Sequence, residues 1–285
     1  MYNSGLSIKD ALEDVSKNLY VLPAIQREFV WKPEQICRLF DSLMQGYPFG
    51  TFLFWKVEPE KSGQFKFYGF VQNYHERDAA HCPELGALPN RELTAVLDGQ
   101  QRLTALNIGL RGSMAIKEPN KRWSNANAFP KRVLHVDLLA AKGEDEEGEA
   151  YRFRFLELEK AKADAESLWY PVPDILAVTN VGRLSQWLFG RFQEVGLGGE
   201  SELFNRASDT LHRLYEVVHT ARNLTHYTER SQELDRVLRI FIRMNSGGDR
   251  PVLFRLAPQR RCCPVVGARR PSGDSWPRRR VEPGG

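Results

Sequence analysis

The sequence predicts an α+β fold, and three observations carry that prediction. Short runs rich in aromatic and β-branched residues (Thr51–Val57, Leu93–Leu97, Val133–Leu138) alternate with amphipathic stretches in the first half. From about residue 180 onward the apolar spacing is mostly helical. No internal repeat is visible, which excludes solenoid and propeller architectures.

Element by element, Ser7 suits the N-cap of a helix over Ile8–Asn18, with Ile8, Leu12 and Val15 on one stripe. Tyr20–Leu22 is a short extended run ending at Pro23. Pro33 suits the first turn of a second helix, which runs to about Gln45, turns Ile36, Leu39, Phe40 and Leu43 inward, and stops at Gly46. Thr51–Val57 reads as a strand, with Phe65–Val71 as its hairpin partner. His75–Arg91 has the composition of a loop. A strand at Leu93–Leu97 leads into a helix over Gly99–Leu110. Val133–Leu138 and Tyr151–Phe155 are further strands, split by the acidic loop Lys142–Glu149. Helices follow over Val181–Val195, Ser201–Arg222 and Ser231–Met244, with an extended piece at Leu224–Tyr227. The expected organisation is a mixed domain over 1–170, a helical extension over 171–248 and an irregular tail over 249–285.

A chain of 285 residues, 42% apolar and 27% charged, is neither disordered nor a disulfide scaffold. No window approaches the roughly 18 apolar residues of a membrane span, and Lys9, Asp10, Glu13 and Asp14 are foreign to a secretory signal. Cys37 and Cys82 lie far apart, and Cys262 and Cys263 are adjacent, which favours a reducing, cytoplasmic setting without membrane contact. The net charge of +4 comes from the end of the chain. Beyond Gly248 there are nine arginines against three acids, so the preceding residues are slightly acidic. That tail reads either as a basic nucleic-acid arm or as a segment under no selection. Its lack of Lys, of Ile and of any period favours the second.

Two segments carry chemistry. One is Leu22-Pro-Ala-Ile-Gln26-Arg27-Glu-Phe-Val-Trp31, followed by Gly46-Tyr-Pro48-Phe-Gly50. The other is Val96-Leu97-Asp98-Gly99-Gln100-Gln101-Arg102-Leu103-Thr104. In the second, a strand ends at Asp98, a glycine allows a tight corner, and a helix begins. Asp98 either caps that helix or faces outward as a metal ligand or general base. The amides of Gly99, Gln100 and Gln101 lie where first-turn donors and the helix dipole favour an anion. Arg102 brings a permanent charge with bidentate phosphate geometry. Gln100 and Gln101 have the reach to hold a water or a phosphate oxygen. The plain alternative is a capped helix with a surface arginine.

Together these segments closely resemble the N-terminal domain family of GmrSD-type restriction endonucleases. Pro23, Gln26, Arg27 and Trp31 match one signature, Asp98-Gly99-Gln100-Gln101-Arg102 another, and Phe241-Ile-Arg243-Met-Asn245-Ser-Gly247-Gly248 a third. The resemblance implies a ParB/sulfiredoxin-like nucleotide-binding core with added helices. It implies hydrolysis of a nucleoside triphosphate coupled to cleavage of modified phage DNA, with cutting by a His-Asn-His nuclease domain or partner subunit. Carried over by position, Asp98, Gln100, Gln101 and Arg102 form the hydrolytic set. Gln26, Arg27, Gly99 and Asn245 bind nucleotide, and Asp98 is the one assigned ligand of the divalent metal, Mg2+, that the resemblance implies. A nucleotide- or DNA-binding module without turnover, and an inactive remnant, remain the alternatives.

Other residues carry paired readings. Trp31 stacks on a nucleobase or sits in the core beside Phe29. Asn245 closes a phosphate-facing turn or ends a helix. Asp137 adds a carboxylate to the pocket or lies on the surface, the latter favoured. His212 and His219, seven apart on one helical face, read as a solvated stripe, and no histidine or cysteine spacing suits zinc. Arg27, Lys32, Arg38 and the Asn120–Arg122 loop are the local candidates for DNA contact.

After Gly248 the chain leaves the family pattern, which continues with a Thr-x-Leu-Ser-x-x-Asp-Leu-Leu helix start. Removing one base from a permitted codon choice for Asp249–Val265 yields Thr-Val-Leu-Ser-Tyr-Ser-Asp-Leu-Leu-Leu-Asn-Val-Ala-Ala-Ala-Gln. A frameshifted tail is therefore the expectation, together with loss of the packing partners of the Ser231–Met244 helix.

Overall fold

The computed structural model describes residues 2–24, 28–48, 50–86, 88, 90–141 and 148–245. Along the chain, β1 (Tyr2–Leu6) precedes α1 (Ile8–Ser16), β2 (Tyr20–Pro23) and α2 (Pro33–Gln45). Ser7 caps α1 as its sequence predicts, its hydroxyl accepting from the Asp10 amide at 3.1 Å. Next come β3 (Phe52–Val57), the short α3 (Pro59–Ser62), β4 (Phe67–Tyr68), β5 (Asn73–His75), β6 (Leu93–Asp98), α4 (Gln100–Arg111) and β7 (Ser113–Ala115). The chain continues with β8 (Lys131–Asp137), β9 (Phe153–Leu156), α5 (Leu158–Ala163) and β10 (Trp169–Pro171). It then forms α6 (Val181–Glu194), α7 (Ser201–Tyr215), β11 (Leu224–Glu229) and α8 (Leu234–Asn245).

This is an α+β fold with two sheets. The main sheet runs β1-β11-β3-β6-β2-β4, and a second one centres on β8, which pairs with β7, β9 and β10. Alternation along β3 and β6 sets the layers. Phe52, Phe54 and Val96 join the large core formed with Leu12 of α1, Phe40 of α2 and Leu106 of α4. Leu53, Trp55, Val57, Leu93, Ala95 and Leu97 point to the opposite face, where Val237 and Phe241 of α8 cover them.

Several expectations change here. Phe65–Val71 contributes only β4, which pairs antiparallel with β2 rather than with β3. The partner of β3 on that side is β6, because burial on both faces suits β6 to the sheet centre. The helix expected over Ser201–Arg222 ends in a π turn over Glu216–Thr220. The Ser231–Met244 helix keeps packing partners, since Val237 and Phe241 are buried against the sheet. The chain also recrosses the boundary expected near Tyr170–Asp174: β11 lies between β1 and β3, parallel to β3. The acidic stretch 142–147 and the tail over 249–285, with its frameshift reading, lie outside the described residues.

Candidate functional site

The corner between β6 and α4 is built by exclusion. Gly99 adopts φ +89°, and a Cβ there would lie 2.3 Å from Phe52 Cδ1. Neither the conformation nor the space admits a side chain, so only glycine turns the chain this sharply. Gly99 serves as the N-cap of α4 with no side-chain cap bond, which sets aside the capping role for Asp98. The Asp98 carboxylate instead lies 3.5 Å from Arg102 Nη2, one helical turn on, and about a third of its side chain is exposed (36%).

Arg102 is tightly held. Its Nη2 donates to the Thr51 carbonyl at 3.0 Å, and its guanidinium lies 4.7 Å from the centre of the Phe52 ring. Gly50, at φ +87°, brings bare backbone against it: a Cβ there would lie 2.5 Å from Nη1. Burial pulls the guanidinium pKa below its ordinary value while the Asp98 charge opposes that. The group stays charged at any physiological pH. Thus the loop before β3 and the Asp98–Arg102 corner meet around one guanidinium.

The two glutamines diverge. Gln101 Oε1 accepts from the Val30 amide at 3.1 Å, and its Nε2 donates to the Glu28 carbonyl at 2.6 Å. It clamps the backbone of the first motif to the second, a positioning role that sequence reasoning did not assign. Gln100 is half-buried, and its side chain forms no hydrogen bond among the described residues. Phe29 of the clamped segment is buried edge-on to Tyr74, with ring centres 5.8 Å apart. Trp31 packs against the large core, which favours its structural reading.

A family model described as GmrSD restriction endonuclease, N-terminal domain, matches residues 8–250. The chain belongs to this family. An uncharacterized protein of Methanocaldococcus jannaschii is 36% identical over 99 residues. That match takes in 33% of this chain and 16% of the other protein, so the chain spans a small part of its relative's length.

In this GmrSD N-terminal domain, Asp98, Gly99, Gln100, Gln101 and Arg102 stand together at one corner. Gln26 and Arg27 lie outside the described residues, as do the Asn245 side chain and Gly247-Gly248. Asp137 is neither a pocket acid nor a surface residue. It is buried, accepts from the Leu139 and Leu168 amides at 3.0 and 3.3 Å, and thereby ties β8 to the turn before β10. His212 and His219 are half-buried rather than solvated, and the π turn over Glu216–Thr220 breaks their shared register.

Among the described residues no group of three or more His, Cys, Asp or Glu side chains converges to hold a metal ion. Asp98 offers a single carboxylate. That fits a Mg2+ arriving on nucleotide phosphates, which keeps several waters and takes one or two carboxylates, and does not fit a resident metal cage. No helix among the described residues is long and apolar enough to cross a membrane.

Proposed function

We propose that this chain is the nucleotide-hydrolysing, DNA-sensing module of a GmrSD-like restriction or phage-defence system. Its target is modified DNA, and its nuclease lies on a further domain or a partner subunit. The observation that carries this reading is the fixed Arg102 guanidinium beside Asp98, at the start of α4, next to a half-buried glutamine whose side chain forms no hydrogen bond among the described residues.

A nucleoside triphosphate would lay its phosphates over the first turn of α4, whose amides and dipole favour negative charge. Arg102, already desolvated and oriented, meets charge developing on the transferring phosphoryl group without reorganising. Asp98, partly exposed beside it, would accept a proton from the attacking water, and Gln100 would orient that water. A Mg2+ bound with the nucleotide would supply charge neutralisation at the phosphates, with Asp98 as its protein ligand. Gln26, Arg27 and Asn245 complete the nucleotide pocket by family resemblance. The ParB/sulfiredoxin-like core and the cytoplasmic location belong to the same reading.

The test is release of inorganic phosphate from each common nucleoside triphosphate, with and without modified DNA. Asp98→Ala and Arg102→Ala are expected to lower turnover by about a hundredfold or more. Equal turnover in wild type and both variants overturns the reading. The contacts of Arg102 with Thr51, Asp98 and Phe52 favour one second reading, a site that binds nucleotide without turnover. It predicts thermal stabilisation by nucleotide with no product formed.

A further inference from the structure

Between β7 and β8 the chain forms a loop that holds a large aromatic ring in solvent. Trp123 is 52% exposed, yet the ring is not loosely placed. It leans on Phe129 with ring centres 5.5 Å apart, and its backbone carbonyl accepts from Arg77 Nη1 at 3.0 Å. The loop is closed at its base by the Glu118 amide donating to the Ala128 carbonyl at 2.8 Å. Within it, Lys121 Nζ donates to the Asn127 carbonyl at 3.1 Å, and the Asn125 side chain accepts from the Asn127 amide at 2.9 Å. A surface indole therefore stands preset, with little ordering left to lose on binding.

The charges around it are unbalanced. Glu118 pairs with Lys121 at 2.6 Å and with Arg132 at 3.1 Å, and Asp78 pairs with Arg77 at 2.8 Å. Lys117 Nζ lies 6.0 Å from the centre of the Trp123 ring. Arg122 and Lys131 are exposed and form no ion pair among the described residues. Glu118 and Asp78 are thus paired with other cations, Glu76 accepts from the Lys117 amide, and Lys117, Arg122 and Lys131, on the loop and its flanking strand, are left without an ion pair among the described residues.

The geometry points to this loop as a contact for DNA carrying an unstacked base. Trp123 takes the base on its face, while Lys117, Arg122 and Lys131 meet the flanking phosphates. Every base presents a π face, so a ring among cations suits nucleic acid. An acidic peptide would engage the cations and leave the ring idle. A rigid surface indole does not reach a base inside an intact duplex stack, so the occupant is a single strand or an extruded base. Residues 75–81, closed by the His75–Ala79 bridge, touch both this loop and the segment that Gln101 holds. Glu76 Oε2 accepts from the Lys117 amide at 2.7 Å, and Arg77 holds Trp123. On the other side His81 bridges to Glu28, whose carbonyl accepts from Gln101.

The test is fluorescence anisotropy of the full chain with a labelled single-stranded oligodeoxynucleotide of about twelve nucleotides. It is run at about 0.3 M salt to suppress the ionic background from the arginines after Gly248. Trp123→Ala is expected to weaken binding by about 5- to 150-fold, with most of the affinity kept by Trp123→Phe. Arg122→Ala and Lys131→Ala should each reduce the salt slope by about 0.7. Unchanged affinity in Trp123→Ala overturns the inference, as does a Trp123→Phe loss equal to that of the alanine variant. Tighter binding of intact duplex, or of RNA of the same sequence, overturns it too. Phosphate release without DNA reads the α4 corner alone. Binding that depends on Trp123 in a chain that hydrolyses nothing keeps this inference and removes the reading above.

Discussion

Gln100 and Gln101 share a side chain and differ in employment. Gln101 spends both ends of its amide on the backbone at Glu28 and Val30, whereas the Gln100 side chain is half-buried and forms no hydrogen bond among the described residues. Gln101→Ala removes two hydrogen bonds, each worth about 1 kcal/mol net, so urea unfolding should show a loss of about 1–2 kcal/mol. Gln100→Ala should leave stability within about 0.5 kcal/mol and weaken nucleotide binding, read by thermal shift. Neighbouring identical residues are indistinguishable in a sequence, because the partners of Gln101 lie about seventy positions away. The corner itself was legible, since strand, glycine, helix and charge are adjacent in the chain. That Asp98 leaves the helix uncapped was not legible, because the choice depends on Arg102 and Thr51 standing beside it.

At the scale of elements, α8 shows why a helix must be judged with the surface it covers. Its apolar positions were readable, yet the sheet face they meet is assembled from β3 and β6, far upstream. Trp55 Nε1 donates to the Ser231 carbonyl at 2.9 Å, and Gln232 Nε2 to the Lys56 carbonyl at 2.9 Å, which dock the approach to α8 onto β3. Phe241→Ala should therefore cost about 3–5 kcal/mol, seen as a lower denaturation midpoint with unchanged slope. If that variant melts like the wild type, α8 is not a cover for the sheet. Short strands were the least readable elements. β4, β5, β7 and β10 have two or three residues each, too few to display a period, and only their ladders define them.

For the whole molecule, the insertion of β11 between β1 and β3 makes the main sheet depend on both halves of the chain. A fragment ending at Tyr170 lacks β11 and α8, so it should show no cooperative unfolding transition by circular dichroism. A fragment that unfolds cooperatively would establish an independent first half. Stability should also depend on pH. Burial holds the His135 and His219 imidazoles below their ordinary 6.5, against the carbonyls of Val133 and Ile175 that each contacts at 2.8 Å. The unfolded chain then binds protons first as the pH falls, so their contribution is complete above about pH 7 and is lost progressively below 6.5. Burial raises the Asp174 pKa, which works in the opposite direction as the pH falls. A melting temperature that is flat from pH 7 to about 5.5 would contradict this. The sequence by itself determined the helices, the long strands and the strand-glycine-helix corner, because each is specified by residues within a few positions of one another. Only the tertiary structure decided which glutamine is structural, what α8 covers and where the chain presents Trp123 among cations. Those outcomes rest on contacts between distant segments, whose energies exist only once the sheets have formed.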